Sequence, residues 1–230
     1  MKYDTCCVCG GQEFGLQDVL WPELIADWEL SPVEVAYVNR QQGFHCVACK
    51  NNLRAMALAD AVLSSFGYSG TLAKFVESWS ARKLRVLEIN EAGGLTPVLK
   101  KLRKHRLVRY PEYDMTRLAF KDGSFDLVVH SDTLEHVPDP VAGLAECRRV
   151  LAKAGRCIYT VPVIVGRLTR SRKGLKYSYH GTADREKNDY AVQTEFGADM
   201  WKCPIEAGFD SIRIHSLEYP AALAIEARGK

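Results

Sequence analysis

No stretch of this 230-residue chain approaches the roughly 18 consecutive apolar residues a membrane-spanning helix needs, and its start, MKYDTCC, holds no apolar leader core. These absences predict a cytoplasmic protein with no membrane partner. Neither sign of charge dominates: 31 Lys and Arg stand against 28 Asp and Glu, and a net charge of +3 does not demand a polyanion. With 47% hydrophobic and 26% charged residues, the composition is that of a folded globular chain rather than a disordered one. The phosphate-cradling signature G-x-G-x-x-G is also missing. Finally, a cytosolic setting argues against a disulfide framework, so the eight cysteines are expected in a metal site or as buried thiols.

What is there begins with the cysteines. Cys6-x-x-Cys9-Gly10 and Cys46-x-x-Cys49-Lys50 are two thiolate knuckles, each able to offer both sulfurs to one ion, and four thiolates suit tetrahedral Zn²⁺. Cys7 is an alternative ligand beside Cys9, ranked below Cys6 because Cys-x-x-Cys-Gly has the better turn geometry. An iron-sulfur cluster would use the same four ligands, but nothing nearby suggests redox chemistry. A site saturated by protein ligands leaves no open position, so the expected zinc is structural. The long spacer between the knuckles holds a helical insert, with Leu24, Ile25 and Trp28 followed by a helix start at Pro32. Cys147, Cys157 and Cys203 stand alone in apolar contexts and read as core thiols.

The stretch Leu84 to Gly94, L-R-V-L-E-I-N-E-A-G-G, reads as a buried strand and a tight glycine turn, and the LTPVLKKLRKH that follows is compatible with a helix. Ligands bind at such a place in doubly wound α/β folds, because helix N-termini and glycine backbones face them there. Onward from it the pattern gives strand 84–89, helix 95–104, strands 106–110 and 125–130, helix 138–152, strand 156–161, helix 197–207, and strands near 209–217 and 221–228. The last two, separated by little more than Tyr219-Pro220, look like an antiparallel hairpin at the sheet edge. Two domains are expected, a zinc-binding and helical module over 1–66 and the α/β domain over 67–230, with the helices before residue 84 capping the latter.

The segment FKDGSFDLVVHSDTLEHVPDPVAGLAECRRVLAKAGRCIYTVP, Phe120 to Pro162, resembles the fourth- to fifth-strand region of class I S-adenosylmethionine (SAM)-dependent methyltransferases, and EFGADMWKCPIEAGF, Glu195 to Phe209, resembles their last helix and turn. The resemblance runs from about Leu84 to the C-terminus. It implies a Rossmann-like class I methyltransferase sheet, mostly parallel with an antiparallel last strand, with SAM as cofactor.

By the resemblance, Glu88 anchors the first motif and helps orient the amino-acid end of the cofactor, while Asn90 and Ala92 stand at the first and second glycine positions and Gly93 closes the turn. Asn tolerates positive φ, so the turn can still form. Glu91 would repel the cofactor carboxylate or favour its cationic groups, depending on which way it points. The helix usual after the second strand looks lost, since only VRYPEYDM intervenes. Asp114 with Met115 aligns with the adenine-contacting pair, Glu112 is the nearest candidate for the ribose, and Ser131 and Asp132 line the cofactor and substrate. His136 is a candidate general base, as is His180 in the segment that usually builds the acceptor site. In that segment Arg170 and Arg172, beside Tyr177 and Tyr179, would bind an oxyanion-bearing acceptor, and the length from Pro162 to Thr194 suits a mobile lid.

Three functions stay open at this point: methyl transfer to a small-molecule or sugar/nucleotide-linked acceptor, at oxygen; RNA methylation with the zinc module as reader; and a methyltransferase-like protein that binds without methylating. Residues 1–50 hold few basic residues (Lys2, Arg40, Lys50), which disfavours nucleic acid as partner. The sequence leaves the oligomeric state open.

Overall fold

A computed structural model describes residues 4–178 and 191–229. The knuckles are joined by a minimal antiparallel pair, β1 (Phe14–Gly15) on β2 (His45–Cys46). Between them lies the helical insert, α1 (Pro22–Asp27) and α2 (Pro32–Gly43). Pro32 opens α2 behind Ser31, which accepts from Glu34 N while the Glu34 carboxylate accepts from Ser31 N, a reciprocal capping box.

The second knuckle runs directly into α3 (Leu53–Ser65), started by Asn52, whose side chain accepts from Ala55 N at 2.9 Å. Its sequence, LRAMALADAVLSS, is apolar on nearly every side and almost wholly buried, so α3 is a core helix and not a surface cap. Small residues (Ala55, Ala57, Ala59, Ala61) let it lie close against the sheet. After α4 (Leu72–Glu77) comes the α/β layer: β3 (Arg85–Ile89), α5 (Thr96–Leu99), β4 (Lys104–Val108), β5 (Phe125–Ser131), α6 (Pro140–Val150) and β6 (Leu151–Thr160). The chain then forms β7 (Val163–Ile164), β8 (Arg170–Ser171), β9 (Thr194–Gly197), α7 (Lys202–Glu206), β10 (Ser211–Glu218) and β11 (Ala222–Arg228).

Among the described residues the main sheet has six strands in the order β10-β11-β6-β5-β3-β4. β4, β3, β5 and β6 are parallel, while β11 runs antiparallel to both β6 and β10, as the resemblance implies. Alternate residues face opposite layers. Val86, Leu127, Val129 and Ile158 pack with α3, whereas Leu87, Ile89, Val128 and Tyr159 pack with α6 and α7. Covered on both faces, these strands are apolar throughout rather than alternating.

Several expected boundaries move. The helix expected over 95–104 is one 3-10 turn, Gly93–Leu95, plus the short α5, and β4 starts at Lys104 rather than 106. The helix expected over 197–207 begins only at Lys202, because Gly197 ends β9, where a Cβ would sit 2.2 Å from the Arg167 carbonyl. Between β4 and β5 neither helix nor strand is present, so the loss read from VRYPEYDM extends to the family's third strand.

Glu226 of β11 ties α3 to this sheet. Its carboxylate accepts from Ser65 Oγ at 2.7 Å, from His215 Nε2 at 2.8 Å and from Arg228 Nε. Burial pushes its pKa up, but these three donors outweigh burial and bring it from 4.5 to about 2. A depressed carboxyl contributes stability that is complete above the unfolded value and is lost as pH falls toward the folded one. Thermal melts of the chain are therefore expected to drop steeply as pH falls from about 4.5 to about 2, and Glu226→Gln should flatten that slope. An unchanged slope in the variant would remove Glu226 from the acid response.

Candidate functional site

The site forms where the parallel strands end. Asn90, the residue after β3, takes φ 55°, and Gly93 takes φ 56°. The left-handed conformation that a glycine would supply at position 90 is held instead by hydrogen bonds. Asn90 N donates to the Val108 carbonyl at 2.8 Å, Asn90 Oδ1 accepts from Tyr110 N at 3.1 Å, and Asn90 Nδ2 donates to Thr133 Oγ1 at 3.4 Å. One amide side chain thus bridges the ends of β3 and β4 to the loop after β5.

Beneath it Glu88 is fully buried. Its carboxylate accepts from Ala92 N at 2.8 Å and from Thr96 Oγ1, and pairs with His105 Nε2 at 2.6 Å. The acid holds the turn from inside, joining its descending arm to α5 and β4. Glu91 points the other way and pairs with Arg109 at the surface, both half exposed. The question of its sign is settled by Arg109, which neutralises it away from the turn.

On the neighbouring strand, Ser131 Oγ shares a 2.8 Å hydrogen bond with Thr160 Oγ1, and Asp132 follows at φ 48°. Register places Ile89 beside His130, so Asn90 and Ser131 are adjacent at the sheet end. Glu88, Asn90, Gly93, Ser131 and Asp132 are therefore brought together. Glu112 and Asp114 are exposed after β4, where Asp114 Oδ1 accepts from Thr116 N and Thr116 Oγ1 at 2.8 Å each, closing its own turn. Met115 is buried under α6, against Gly143. His136 lies in a 3-10 turn, Leu134–His136, and its Nδ1 faces the Ala191 carbonyl at 3.2 Å. A carbonyl only accepts, so Nδ1 carries the proton and Nε2 has the lone pair.

The basic loop is folded down. Arg170 and Arg172 both bind the buried Glu195, with Arg170 Nε at 2.6 Å from Glu195 Oε2. Arg172 also donates to the Lys176 carbonyl at 2.6 Å. Arg167 reaches Glu34 at 2.8 Å and the Trp28 carbonyl at 2.8 Å, while Trp28 Nε1 donates to Ser178 Oγ at 2.6 Å. Residues 163–178 are thus docked on the helical insert instead of forming the loose lid expected from few apolar anchors, because ion pairs and an indole replace those anchors. Tyr177 is exposed. Tyr179 and His180 lie outside the described residues.

Sequence reasoning missed Asn51, Arg54 and His130. Arg54 of α3 is almost fully buried, with its guanidinium against Asp132 and the Gln41 carboxamide. No apolar-periodicity signal marks an arginine as interior. His130 is buried and stacked on Tyr159 with centroids 4.6 Å apart, and burial pushes its pKa down to about 3, so it stays neutral. It groups with the buried Cys147 and Cys157 on the α6 side of the sheet, and Cys203 is buried nearby in α7.

At the N-terminal module, Cys6 Sγ and Cys49 Sγ are 3.8 Å apart, Cys9 Sγ and Cys46 Sγ 3.7 Å, and all four sulfurs lie within 4.8 Å of one another. Four sulfurs at the ~2.3 Å zinc–thiolate distance define a tetrahedron of edge about 3.8 Å. The donor set therefore fits such an ion. Cys7 is turned away and donates its thiol to the Met56 carbonyl at 3.2 Å, which decides between Cys6 and Cys7 as ligand.

Residues 66–159 match a family model described as a methyltransferase domain. The chain is 32% identical over 119 residues to a ubiquinone biosynthesis O-methyltransferase of Psychrobacter arcticus, covering 49% of this chain and 44% of the relative. It is 29% identical over 106 residues to an uncharacterized methyltransferase of a Mycobacterium species, covering 44% and 42%. The chain thus spans under half the length of these curated relatives. A solved Thermotoga maritima structure, described as a SAM-dependent methyltransferase and possible histamine N-methyltransferase, superposes with TM-score 0.44 at 17% identity over 77% of this chain and 98% of the other. No helix among the described residues is long and apolar enough to cross a membrane.

Proposed function

We propose that this chain, which carries a class I SAM-dependent methyltransferase domain, transfers the methyl group to an oxygen of a small-molecule acceptor, with a structural zinc ion held by Cys6, Cys9, Cys46 and Cys49. The observation that carries the reading is the intact turn: Glu88 buried within it and Asn90 left-handed in the place of the first glycine, side by side with Ser131 and Asp132. An altered glycine pattern that had lost its purpose would not need a buried carboxylate with three donors.

SAM supplies an electrophilic methyl on sulfonium sulfur. The residues at the ends of β3 and β5 would hold it, Asn90 fixing the turn backbone and Asp132 supplying negative charge near a cationic group. In-line transfer needs the acceptor oxygen aligned and its proton removed. His136 suits the second task, since the Ala191 carbonyl fixes its tautomer with the lone pair on Nε2. Oxygen as the acceptor atom is supported by the Psychrobacter relative described as an O-methyltransferase. With Arg170 and Arg172 engaged by Glu195, an anionic acceptor would have to displace or share that carboxylate, so a neutral or phenolic hydroxyl is the simpler acceptor.

Calorimetry with SAM and its demethylated product tests the first half: binding in the micromolar range is expected, and no heat up to millimolar ligand would end the methyltransferase reading. For the second half, catechol-type and aliphatic hydroxyl acceptors are to be followed by release of demethylated product. His136→Gln is expected to lower turnover by roughly 10²-fold while leaving cofactor affinity unchanged. Equal turnover would remove His136 as the base.

A further inference from the structure

We propose that the cysteine module completes the cofactor site: Asn51 and Arg54, two and five positions after the ligand Cys49, are positioning residues that set the Gly94 turn and Asp132, so that loading of the four-cysteine site governs cofactor affinity. This rests on the SAM reading above.

Asn51 is buried between the two sites. Its Nδ2 donates to the Cys49 carbonyl and to Cys49 Sγ, both at 3.4 Å. Its Oδ1 is buried and has no hydrogen-bond partner among the described residues. That oxygen lies against the cofactor turn, since a Cβ added to Gly94 would sit 2.4 Å from it. Gly94 does not have the positive φ of Gly93, so its backbone would accept an alanine. What forbids a side chain there is Asn51. An amide clamped at one end by a ligand cysteine and unsatisfied at the other, over the turn, is costly unless a donor arrives.

Arg54 makes the second link, one turn into α3. A guanidinium with 2% of its side chain exposed needs anionic neighbours, and it takes Asp132, the residue just beyond the end of β5. The knuckle fixes the position of both side chains: Cys46 N donates to the Asn51 carbonyl at 3.0 Å, Leu53 N to the Phe44 carbonyl at 2.9 Å and Lys50 N to the Cys46 carbonyl at 2.8 Å. A backbone so tied to Cys46 moves when the ion holding Cys46 leaves.

The test measures affinity for the demethylated cofactor by calorimetry, with thermal melts alongside, on the metal-loaded full chain. Gly94→Ala is expected to weaken binding about tenfold by pressing on Asn51, and to cost far less in an Asn51→Ala background, a coupling of the size seen for side chains in contact. Arg54→Met should weaken binding about tenfold or more, with Arg54→Lys recovering part of it, a rescue that a packing role alone would not give. Removing the metal with a chelator should weaken binding at temperatures where the far-ultraviolet circular dichroism of the sheet is retained. Additive effects of the position 51 and 94 changes, or a folded metal-free chain that binds as tightly as the loaded one, would overturn the proposal and leave the methyltransferase reading standing. A loaded wild-type chain that fails to bind at all would overturn both.

Discussion

Glu88→Gln is expected to lower stability by roughly 2–4 kcal/mol and to abolish measurable binding of the demethylated cofactor. The reason lies in the donors around it. Ala92 N, Thr96 Oγ1 and His105 Nε2 converge on a carboxylate with no exposure to solvent. A carboxamide has the same shape but one acceptor end, and its NH₂ must face one of these donors. A buried donor against a donor costs more than the lost bond alone. For a chain of this size such a loss lowers the melting temperature by about 5–15 °C. Without the internal acceptor, Ala92 N and Thr96 no longer hold the turn to β3, and the left-handed backbone at Asn90 relaxes. Glu91→Gln serves as the comparison: one position off in phase and half exposed with Arg109, it is expected to leave both melting and binding close to wild type. A Glu88→Gln chain that melts and binds like the Glu91→Gln chain would show that the buried acid does not hold the turn.

That pair illustrates what the chain announces in one dimension. Glu88 and Glu91 are both acids in one short motif, and only the strand alternation, with Val86 on one face and Leu87 and Ile89 on the other, together with β4 on its flank, sends one inward and the other out. The parallel sheet and the terminal hairpin were legible because apolar runs separated by turn residues report burial on two faces directly. The four metal ligands were legible from spacing, apart from the choice between Cys6 and Cys7. Arg54 was not, because an arginine in an apolar helix reads as a solvent-facing interruption until its partner Asp132, far along the chain, is placed beside it. The same holds for Arg170 and Arg172: a basic, aromatic loop suggests an oxyanion site, while Glu195, which takes both charges, comes from a different strand. Long-range ion pairs leave no local period. Helix 95–104 failed for a simpler reason, since KKLRKH has helix-forming residues but its last part is recruited as strand by pairing with β3.

Cys46→Ser is expected to remove one bound zinc per chain and to unfold at least the N-terminal module, whereas Cys7→Ser keeps the metal. Both cysteines are packed against the same core, so loss of packing predicts similar outcomes for the two. Coordination predicts opposite ones: Cys46 Sγ faces Cys9 Sγ at 3.7 Å, and Cys7 Sγ faces a carbonyl. The binding free energy of a structural zinc in small modules is on the order of 10 kcal/mol, comparable to the whole stability of an ordinary domain. The module has little else to hold it, since β1 and β2 are two residues each. Its attachment to the rest is made by knuckle carbonyls, Cys7 O accepting from Leu72 N at 2.8 Å and Val8 O from Ala73 N at 3.0 Å, so opening the knuckle frees α4 from it as well. Because Cys9 is exposed while Cys6 and Cys46 are buried, a chelator meets the ion from the Cys9 side, and release should be slow and first order in protein. Native mass spectrometry and limited proteolysis check the pair of variants: the expected pattern is one zinc and an intact module for wild type and Cys7→Ser, and no zinc with cleavage before residue 50 for Cys46→Ser. Zinc retained in Cys46→Ser, or lost equally in Cys7→Ser, would reject the four-cysteine site.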